Sequence, residues 1–500
     1  MKPTFRAAAA ALLASTLLGG PVLALDADGA LVIALSSDLN TLDPHMTASI
    51  GSDLSVLSQL YPSLVLRGPD LKLHGNLAES WEAVDDLTWR FKLKPGAKFS
   101  NGEALDAEAV KWNFDRVRNP DLNSRISSWF TPISEINVID PSTIEFKTSQ
   151  PFPTLDGQVS MFSLLPPKWA SETNPATAVM PGGPYLLADR VPGSNTTLER
   201  NPDWWGEPVE FPKVIYRVMP EAASRSAALE AGEVDYISSI PVLEVERLKS
   251  SQGLTVGAVP STRTVFLKIN TRKAPMESKL FRQALNYAVD KEGITAAIYG
   301  GLADVASCQV MTPDYFGYNP DLKPYPYDPD KAVELLKQSG VDLRTPIEID
   351  VPLGSYLQVE EAAQAIASQL ESVGLTVKIS EMSFGTFMDK QLKAKDLAQL
   401  GYLTYAWPTL DAGGLLELFT PGNAYDYWDN EAMGALIDKA AATGDAETRK
   451  QLYKEATELM CEEAPVVFLY TQPVIYGTGA DVTWKGRGDD WVRAADFVRK

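Results

Sequence analysis

The chain has 500 residues, of which 45% are hydrophobic and 22% charged, with a formal net charge of −20 at pH 7. This length exceeds what a single hydrophobic core supports and favours about three domains. The acidic balance argues against nucleic acid and anionic membrane surfaces as partners, because both require clustered lysine and arginine.

The N-terminus has the pattern of a cleavable secretory signal over residues 1–24. Lys2 and Arg6 provide a basic start, residues 7–18 are an apolar run, and a small residue, Ala24, suits cleavage. A transmembrane anchor is the alternative, but the run is short and ends at a Gly-Gly-Pro sequence. No cysteine lies near the cleavage point, so we expect no lipid anchor. No later stretch reaches about 18 uninterrupted apolar residues, so we expect no direct membrane insertion.

The first half of the mature chain is predicted to mix strands, hairpins and helices. Residues 87–93 alternate between apolar and polar side chains, which predicts a strand with one dry face. Asp106 suits the N-cap of the helix that follows. The pattern also predicts strands at residues 31–35, 185–188, 196–199 and 234–237, helices at 52–61 and 224–231, and a hairpin at 133–146.

The stretch from Arg263 to Gly301 is interpreted as a crossing between two lobes. Residues 264–269 (TVFLKI) predict a buried strand, and apolar side chains recur at helical spacing over residues 280–289. A second apolar strand, residues 466–476, is interpreted as the return crossing. The space between the two lobes is then the functional site.

Between the two crossings, helices and strands alternate, which is typical of βαβ units in a partly parallel sheet. Asp328, Pro329 and Gly340 provide the N-cap, the first-turn proline and the terminal glycine of one helix. The other predicted elements are strands at residues 346–351, 375–379 and 400–407 and helices at 360–373 and 446–463.

Cys308 and Cys461 are the two cysteines of a chain that is predicted to enter an oxidising compartment. A disulfide between them would contribute about 2–4 kcal/mol. Two buried free thiols are the alternative, because a sequence does not show the distance between two Cα atoms.

Familiar catalytic motifs are absent from the sequence. The two histidines, His45 and His74, lie too far apart for HExxH, and neither G-x-S-x-G nor a Walker A sequence occurs. We therefore expect no catalysis, no metal site and no cofactor. The alternative of another class is an exported hydrolase that uses a carboxylate pair such as Asp411 and Glu417.

Recognition is better supported than catalysis. Tyr405 and Trp407 lie near the end of a predicted strand, followed by Asp411 and two glycines. Strand ends that lead into glycine-containing loops are where α/β sheets bind ligands, and aromatic walls suit a small-molecule cleft. Core packing of Trp407 is the alternative.

Several motifs, taken together, resemble one family. They include AESWE, FKLKPGAKFSNGEALDAEAVKWNFDRV, LERNPDWWG, ALEAGEVDY, INTRKAPMESKLFRQALNYAVDKEGI and GYNPDLKPYPYDPDKAVELLKQSG. In this order they resemble family 5 of the solute-binding proteins of ABC importers, which includes oligopeptide, dipeptide, glutathione, nickel and opine binders. The resemblance covers essentially the whole mature chain.

The resemblance implies an α/β, two-lobed periplasmic-binding-protein fold of class II (cluster C type), with an extra inserted domain and three domains in total. Lobe one would comprise the discontinuous domain I (residues 25–57, 179–267 and 474–500) and the inserted domain II (58–178). Lobe two would be domain III, residues 268–473.

The resemblance also implies a monomeric periplasmic protein that closes on a small-molecule or peptide ligand and docks on the subunits of an inner-membrane permease. A chaperone-like binder of unfolded chains is a further alternative. Carried over by position, the ligand-binding residues would be Ala48, Ser49, Ile50 and Trp129 from lobe one, and Tyr356, Tyr405, Ala406, Trp407 and Asp411 from lobe two.

Two positions depart from the dipeptide binders that this chain resembles. The aspartate that pairs with a peptide amine falls at Pro408, and the arginine that takes the carboxylate falls at Gly354. A zwitterionic dipeptide would lose its strongest anchors, with Asp411 as the candidate replacement for the first. We favour a short peptide or glutathione-like ligand, followed by opines and other amino-acid conjugates.

Overall fold

One large mixed sheet runs through the computed structural model, which describes residues 29–500. The predicted signal segment, residues 1–24, lies outside the described residues. In order across the sheet, ten of its strands are Val377–Met382, Ile347–Pro352, Leu400–Tyr405, Thr255–Ile269, Val466–Thr478, Tyr236–Ser238, Leu31–Leu35, Lys213–Val218, Asn195–Arg200 and Tyr185–Val191. The short strand Asp304–Val305 also pairs with Val466–Thr478 but lies outside this order.

Two long antiparallel strands, Thr255–Ile269 and Val466–Thr478, connect the two halves of this sheet. Residues 255–260 pair with 473–478 on the side of Tyr236–Ser238, whereas residues 264–269 pair with Leu400–Tyr405 on the other side. The register shifts between Pro260 and Thr264, and Pro260 lies opposite Pro473. Proline cannot donate to the ladder, so the pairing is interrupted at this step, which joins the two halves of the sheet and which we call the hinge.

A second, four-stranded antiparallel sheet lies in the first lobe. Its order is Ala78–Asp85, Thr88–Leu93, Thr143–Thr148 and Ile133–Asp140. Helix Ala107–Arg118 packs on it and is capped by Asp106, whose side chain accepts a hydrogen bond from the Ala109 N–H at 3.0 Å. Two small hairpins pair Val65–Arg67 with Leu73–Gly75 and Val482–Trp484 with Phe497–Arg499.

The helices flank both sheets. Their bounds are Ser55–Leu60, Ala107–Arg118, Leu155–Val159, Pro167–Glu172, Ala222–Glu230, Val242–Lys249, Lys279–Ala288, Lys291–Tyr299, Pro329–Ser339, Val359–Ser372, Phe384–Met388, Ala412–Leu416, Glu431–Ala441 and Ala446–Glu463. Within residues 29–500, no helix combines the length and the apolar character that crossing a membrane requires.

The two lobes have separate hydrophobic cores. One core, from Leu64 to Leu164, fills the space beneath the four-stranded sheet, while Leu60, Tyr61 and Leu165 pack in the core of the large sheet's first half. Further cores lie on both faces of the second half. The predicted two-lobed α/β fold is confirmed; the domain boundaries stay a prediction.

Cys308 and Cys461 form a disulfide bond in the structure, with their Cα atoms 5.2 Å apart. It joins the loop after Asp304–Val305 to the end of helix Ala446–Glu463, entirely within the second lobe. Cys308 lies in one hydrophobic core and Cys461 packs against it, so the bond ties two distant segments of the chain together at that core.

His45 is a buried structural residue. Its ring stacks on Phe162, its Nε2–H donates to the Ser163 carbonyl at 2.9 Å, and its Nδ1 accepts from Arg116 Nη1 at 2.8 Å. The pKa of His45 is lowered from 6.5 to about 4, chiefly by burial; Arg116 acts in the same direction, and Asp43 and the hydrogen bond to Ser163 oppose it. Neither ring nitrogen is free for catalysis.

This burial predicts acid sensitivity. The unfolded chain takes up the His45 proton near pH 6.5, whereas the folded protein does not do so until about pH 4, so stability falls as the pH falls through this window. The loss should be about 3 kcal/mol. The His45→Gln variant should show a flatter melting temperature between pH 6.5 and 4 than the parent. The exposed His74 provides the matched control, His74→Gln, and an unchanged pH profile in His45→Gln would contradict the assignment.

Candidate functional site

Two cavities lie side by side between the lobes. The first, of about 530 Å³, is lined by residues 354–357 of the second lobe, by residues 472–475 at the hinge and by residues 490–492 of the C-terminal segment. Its lining includes seven serines, Ser36, Ser37, Ser49, Ser52, Ser238, Ser239 and Ser355, besides Tyr236 and Tyr356. The second cavity, of about 640 Å³, is more apolar and lies between residues 150–154 and residues 407–414. Both volumes are within the range of about 300–1,000 Å³ that is usual for small-molecule sites.

The two cavities share a wall. Ala48 lines the second cavity and its neighbour Ser49 lines the first, because the chain enters a π-helical turn, Ile50–Leu54, at this point. Ile50 packs against a small apolar cluster that contains Met161 of one cavity and Trp491 of the other. The predicted lobe-one segment therefore separates two parts of one cleft.

The lobes touch across the cleft. Arg67 of the first lobe donates from Nη2 to the Thr409 carbonyl at 2.8 Å and from Nη1 to the Leu71 carbonyl at 2.6 Å. The carbonyl of Arg67 in turn accepts from Arg487 at 3.0 Å and from Arg493 at 2.9 Å. Gly157 approaches Thr409 so closely that an added Cβ would lie 3.3 Å from it. Of these contacts, the two with Thr409 cross the cleft, whereas the other hydrogen bonds of Arg67 lie within the first lobe.

Trp407 is partly exposed, at 37%, and it lines the second cavity together with Trp129. Its backbone N–H donates to the Tyr315 hydroxyl at 2.6 Å. Its indole lies on Gly414, where a side chain would collide with the ring. Core packing, the alternative for Trp407, is therefore wrong.

The two remaining aromatic candidates, Tyr356 and Tyr405, lie in different surroundings. Tyr356 lines the first cavity. Tyr405 turns into the second lobe, where its ring lies 5.8 Å from Phe266 and 5.8 Å from the buried Lys268 ammonium. Among the residues that the structure describes, Ile50, Tyr405 and Ala406 do not belong to the lining of either cavity.

Asp411 lines the second cavity but is fully engaged within its own lobe. Oδ1 accepts from the Gly413 N–H and the Tyr453 hydroxyl, each at 2.9 Å, and Oδ2 accepts from Arg449. The side chain thereby caps helix Ala412–Leu416. Both oxygens already have partners, so Asp411 is not a free carboxylate; that it replaces the missing amine-binding aspartate stays a prediction.

An ion pair that the sequence did not indicate joins Arg263 of the crossing strand to Asp490, which lines the first cavity. Arg263 Nε donates to Asp490 Oδ2 at 3.0 Å, and Nη2 donates to the same oxygen at 2.5 Å. Both side chains are about one-third exposed, at 33% and 35%. Asp490 raises the pKa of Arg263, with smaller contributions from Tyr315 and Tyr356. The only sequence signal was the position of Arg263 at the start of the predicted crossing.

The comparisons with known proteins agree with this architecture. Bacterial extracellular solute-binding proteins, family 5 Middle, match residues 72–426. The chain is 26% identical over 491 residues to the glutathione-binding protein GsiB of Salmonella typhi, with 94% of each chain covered.

Solved structures show the same fold. The ABC transporter substrate binding protein CtaP of Listeria monocytogenes aligns with a TM-score of 0.86 at 20% identity, covering 94% of this chain and 99% of that one. NikA of Brucella suis, in complex with Fe(III)-EDTA, aligns with a TM-score of 0.84 at 23% identity, covering 95% of this chain and 100% of that one.

The fold and the cleft thus define a two-lobed solute-binding protein. The chain belongs to the bacterial extracellular solute-binding proteins of family 5, and the resemblance seen in its sequence motifs is confirmed.

Proposed function

We propose that this protein is the periplasmic solute-binding component of an ABC importer, and that it captures a short peptide or a glutathione-like solute and delivers it to an inner-membrane permease. The observation that carries this proposal is the cleft itself, which is lined by serine and aromatic side chains from both lobes and adjoins a hinge of two strands. The 26% identity to a glutathione-binding protein along nearly the whole chain supports the ligand class.

The proposal extends to details inferred from the sequence. The signal, residues 1–24, is removed on export, and the mature monomer binds ligand without transforming it. Domain I spans residues 25–57, 179–267 and 474–500, domain II spans 58–178, and domain III spans 268–473. The ligand contacts include Ala48, Ser49, Trp129, Tyr356 and Trp407.

Hinged closure predicts that ligand compacts the protein. A family 5 protein with two lobes and a two-strand hinge should exist in open and closed forms, and a ligand that contacts both lobes shifts the population towards the closed one. We expect a panel of dipeptides, tripeptides and glutathione to contain compounds that raise the melting temperature. Small-angle X-ray scattering at saturation with such a compound should show a smaller radius of gyration.

The control for this experiment is a panel compound that does not change the melting temperature, which should leave the scattering profile unchanged. A stabilising compound that leaves the radius of gyration unchanged would contradict the hinge account. Absence of stabilisation by every peptide-like compound would contradict the proposed ligand class.

A further inference from the structure

Helix Leu155–Val159 of the first lobe contains a glycine that its own backbone does not require. Gly157 is the third of the five helical residues, and its φ does not lie in the left-handed region that favours glycine. Glycine is one of the poorest helix formers, so alanine would suit this position better on local grounds. The reason for a glycine here therefore lies in what surrounds it.

Position 157 faces the second lobe. A Cβ added to Gly157 would lie 3.3 Å from the Thr409 Cβ, 3.3 Å from the Thr409 carbonyl oxygen and 3.4 Å from the Thr409 Cα. These separations are shorter than the usual contact distance of about 3.5–4.0 Å between carbon atoms. Two of the three atoms belong to the backbone, which cannot rotate away as the end of a side chain can. A side chain larger than a methyl group would therefore push the second lobe away.

Thr409 belongs to a tight turn of the second lobe. The Leu410 N–H donates to the Trp407 carbonyl at 3.0 Å, which closes the turn over residues 407–410, here named the docking turn. Leu410 has a φ of 55°, a left-handed conformation that is uncommon for leucine. Strained backbone of this kind is concentrated at functional sites. The docking turn places Trp407 in the lining of the second cavity and Thr409 against the first lobe.

Arg67 binds the docking turn at the same point. Its Nη2 donates to the Thr409 carbonyl at 2.8 Å, and the arginine is only 7% exposed. Charge-assisted hydrogen bonds are stronger than neutral ones, and a buried position strengthens them further. In the described part of the chain, neither Arg67 nor Gly157 lines either cavity. Changes at these two positions therefore leave the side chains that line the cavities in place.

A second contact between the lobes has the same form with the roles reversed. Gly444 precedes helix Ala446–Glu463 of the second lobe and approaches Asp86, in the turn between two strands of the four-stranded sheet. A Cβ added to Gly444 would lie 2.6 Å from Asp86 Oδ1 and 3.7 Å from the Asp86 Cα. The φ of Gly444 is likewise outside the left-handed region. The lobes thus meet at two glycines, one on each lobe.

We propose that Gly157 is the place where the docking turn comes to rest when the lobes close, and that Arg67 holds it there. A side chain at position 157 then keeps the lobes apart although the residues that line the cavities are unchanged. The extent of closure is thereby fixed by a contact of the protein with itself. This inference rests on the hinged closure of the proposed function, and it is independent of the ligand class.

The test measures closure without a ligand. Asp86→Cys and Gly444→Cys place one thiol on each lobe, and the 3.7 Å approach fits the Cα separation of about 4.4–6.8 Å that a disulfide requires. Diamide oxidises the two thiols, and peptide mass spectrometry distinguishes the new link from Cys308–Cys461. Only the closed form brings the two thiols together, so the rate of cross-linking follows the closed population.

In this double-cysteine parent, Gly157→Leu should slow cross-linking about tenfold or more, because overpacking a close contact is unfavourable. Gly157→Ala should have a smaller effect, since Thr409 then has to shift by only a few tenths of an ångström. Arg67→Met should also slow cross-linking about tenfold, because it removes the charge-assisted hydrogen bond to the docking turn.

Gly385→Leu is the matched control. Gly385 lies in helix Phe384–Met388, which also has five residues, and the nearest atom to an added Cβ is Ser383 Oγ at 4.0 Å. This variant should cross-link at the parent rate. Leucine and alanine are both strong helix formers, so circular dichroism should show folded lobes in every glycine variant. Arg67→Met provides a second test that does not depend on how position 157 tolerates a side chain.

Cross-linking at the parent rate in both Gly157→Leu and Arg67→Met would overturn the proposal and leave the hinge account intact. If the parent itself does not cross-link, even with a compound that raises its melting temperature, the lobes do not close in this way and both fail. If the variants behave as expected but no peptide-like compound stabilises the protein, this inference stands and the proposed ligand class fails.

Discussion

The Arg487→Leu variant should lose about 3–5 kcal/mol of stability, because it leaves two buried carboxylates without their cation. Arg487 is fully buried and donates to both oxygens of Asp489, at 2.7 and 2.8 Å, and to Asp496 at 3.0 Å. It also donates to the carbonyl of Arg67, the residue that reaches across to the other lobe. Ligand affinity should therefore fall together with stability.

Urea denaturation followed by circular dichroism measures this loss. The matched control is Arg344→Leu, which removes a bidentate but exposed pair with Asp342 and should change the stability little. The stability loss of Arg487→Lys should lie between the losses of the two leucine variants, because a single ammonium cannot replace the several donors of the planar guanidinium. A loss for Arg487→Leu no larger than that of the control would show that the cluster does not stabilise the fold.

The Asp411→Ala variant should also lose about 3–5 kcal/mol, since it leaves the buried Arg449 guanidinium without its carboxylate. It also removes the cap of helix Ala412–Leu416 and the acceptor of the Tyr453 hydroxyl. Because these contacts lie within the second lobe, calorimetry should show a lower melting temperature even without ligand. Asp321→Ala, which removes an exposed partner of Lys454, is the control and should change the melting temperature little.

The same variant tests the alternative of an exported hydrolase. Asp411 has no free oxygen in the structure, so we expect neither the wild type nor Asp411→Ala to release product from a panel of peptides and glycosides. Turnover by the wild type that Asp411→Ala abolishes, at an unchanged melting temperature, would instead support a catalytic Asp411.

Sequence patterns predicted a helix correctly where the contacts that stabilise it join residues close together in the chain. Helix Ala446–Glu463 has the predicted bounds. Helix Pro329–Ser339 begins at the predicted Asp328 cap, which accepts from the Lys331 N–H at 2.8 Å, and ends at Gly340 with a φ of 70°. Caps and apolar periodicity act within a few residues, so the sequence alone contains the information.

Predictions failed where distant segments decide the conformation. The crossing strand begins at Thr255 rather than at residue 264, because pairing with residues 473–478 extends it through a Gly- and Pro-containing stretch. The predicted helix over residues 52–61 begins instead as a π-helical turn, Ile50–Leu54, in which Asp53 binds Asn40 and Thr47. Strand Lys213–Val218, the parallel neighbour of Leu31–Leu35, was not predicted.

The sequence by itself determined the family, the two-lobed α/β class and the lobe-one and lobe-two segments that border the cleft, because these depend on motifs and on local periodicity. Only the tertiary structure decided which side chains are available there. Asp411 is occupied by Arg449 and Tyr453, Tyr405 turns into the second lobe, and Arg263 meets Asp490. Such pairings depend on how the two crossing strands and the C-terminal segment come together, and no short stretch of sequence specifies that geometry.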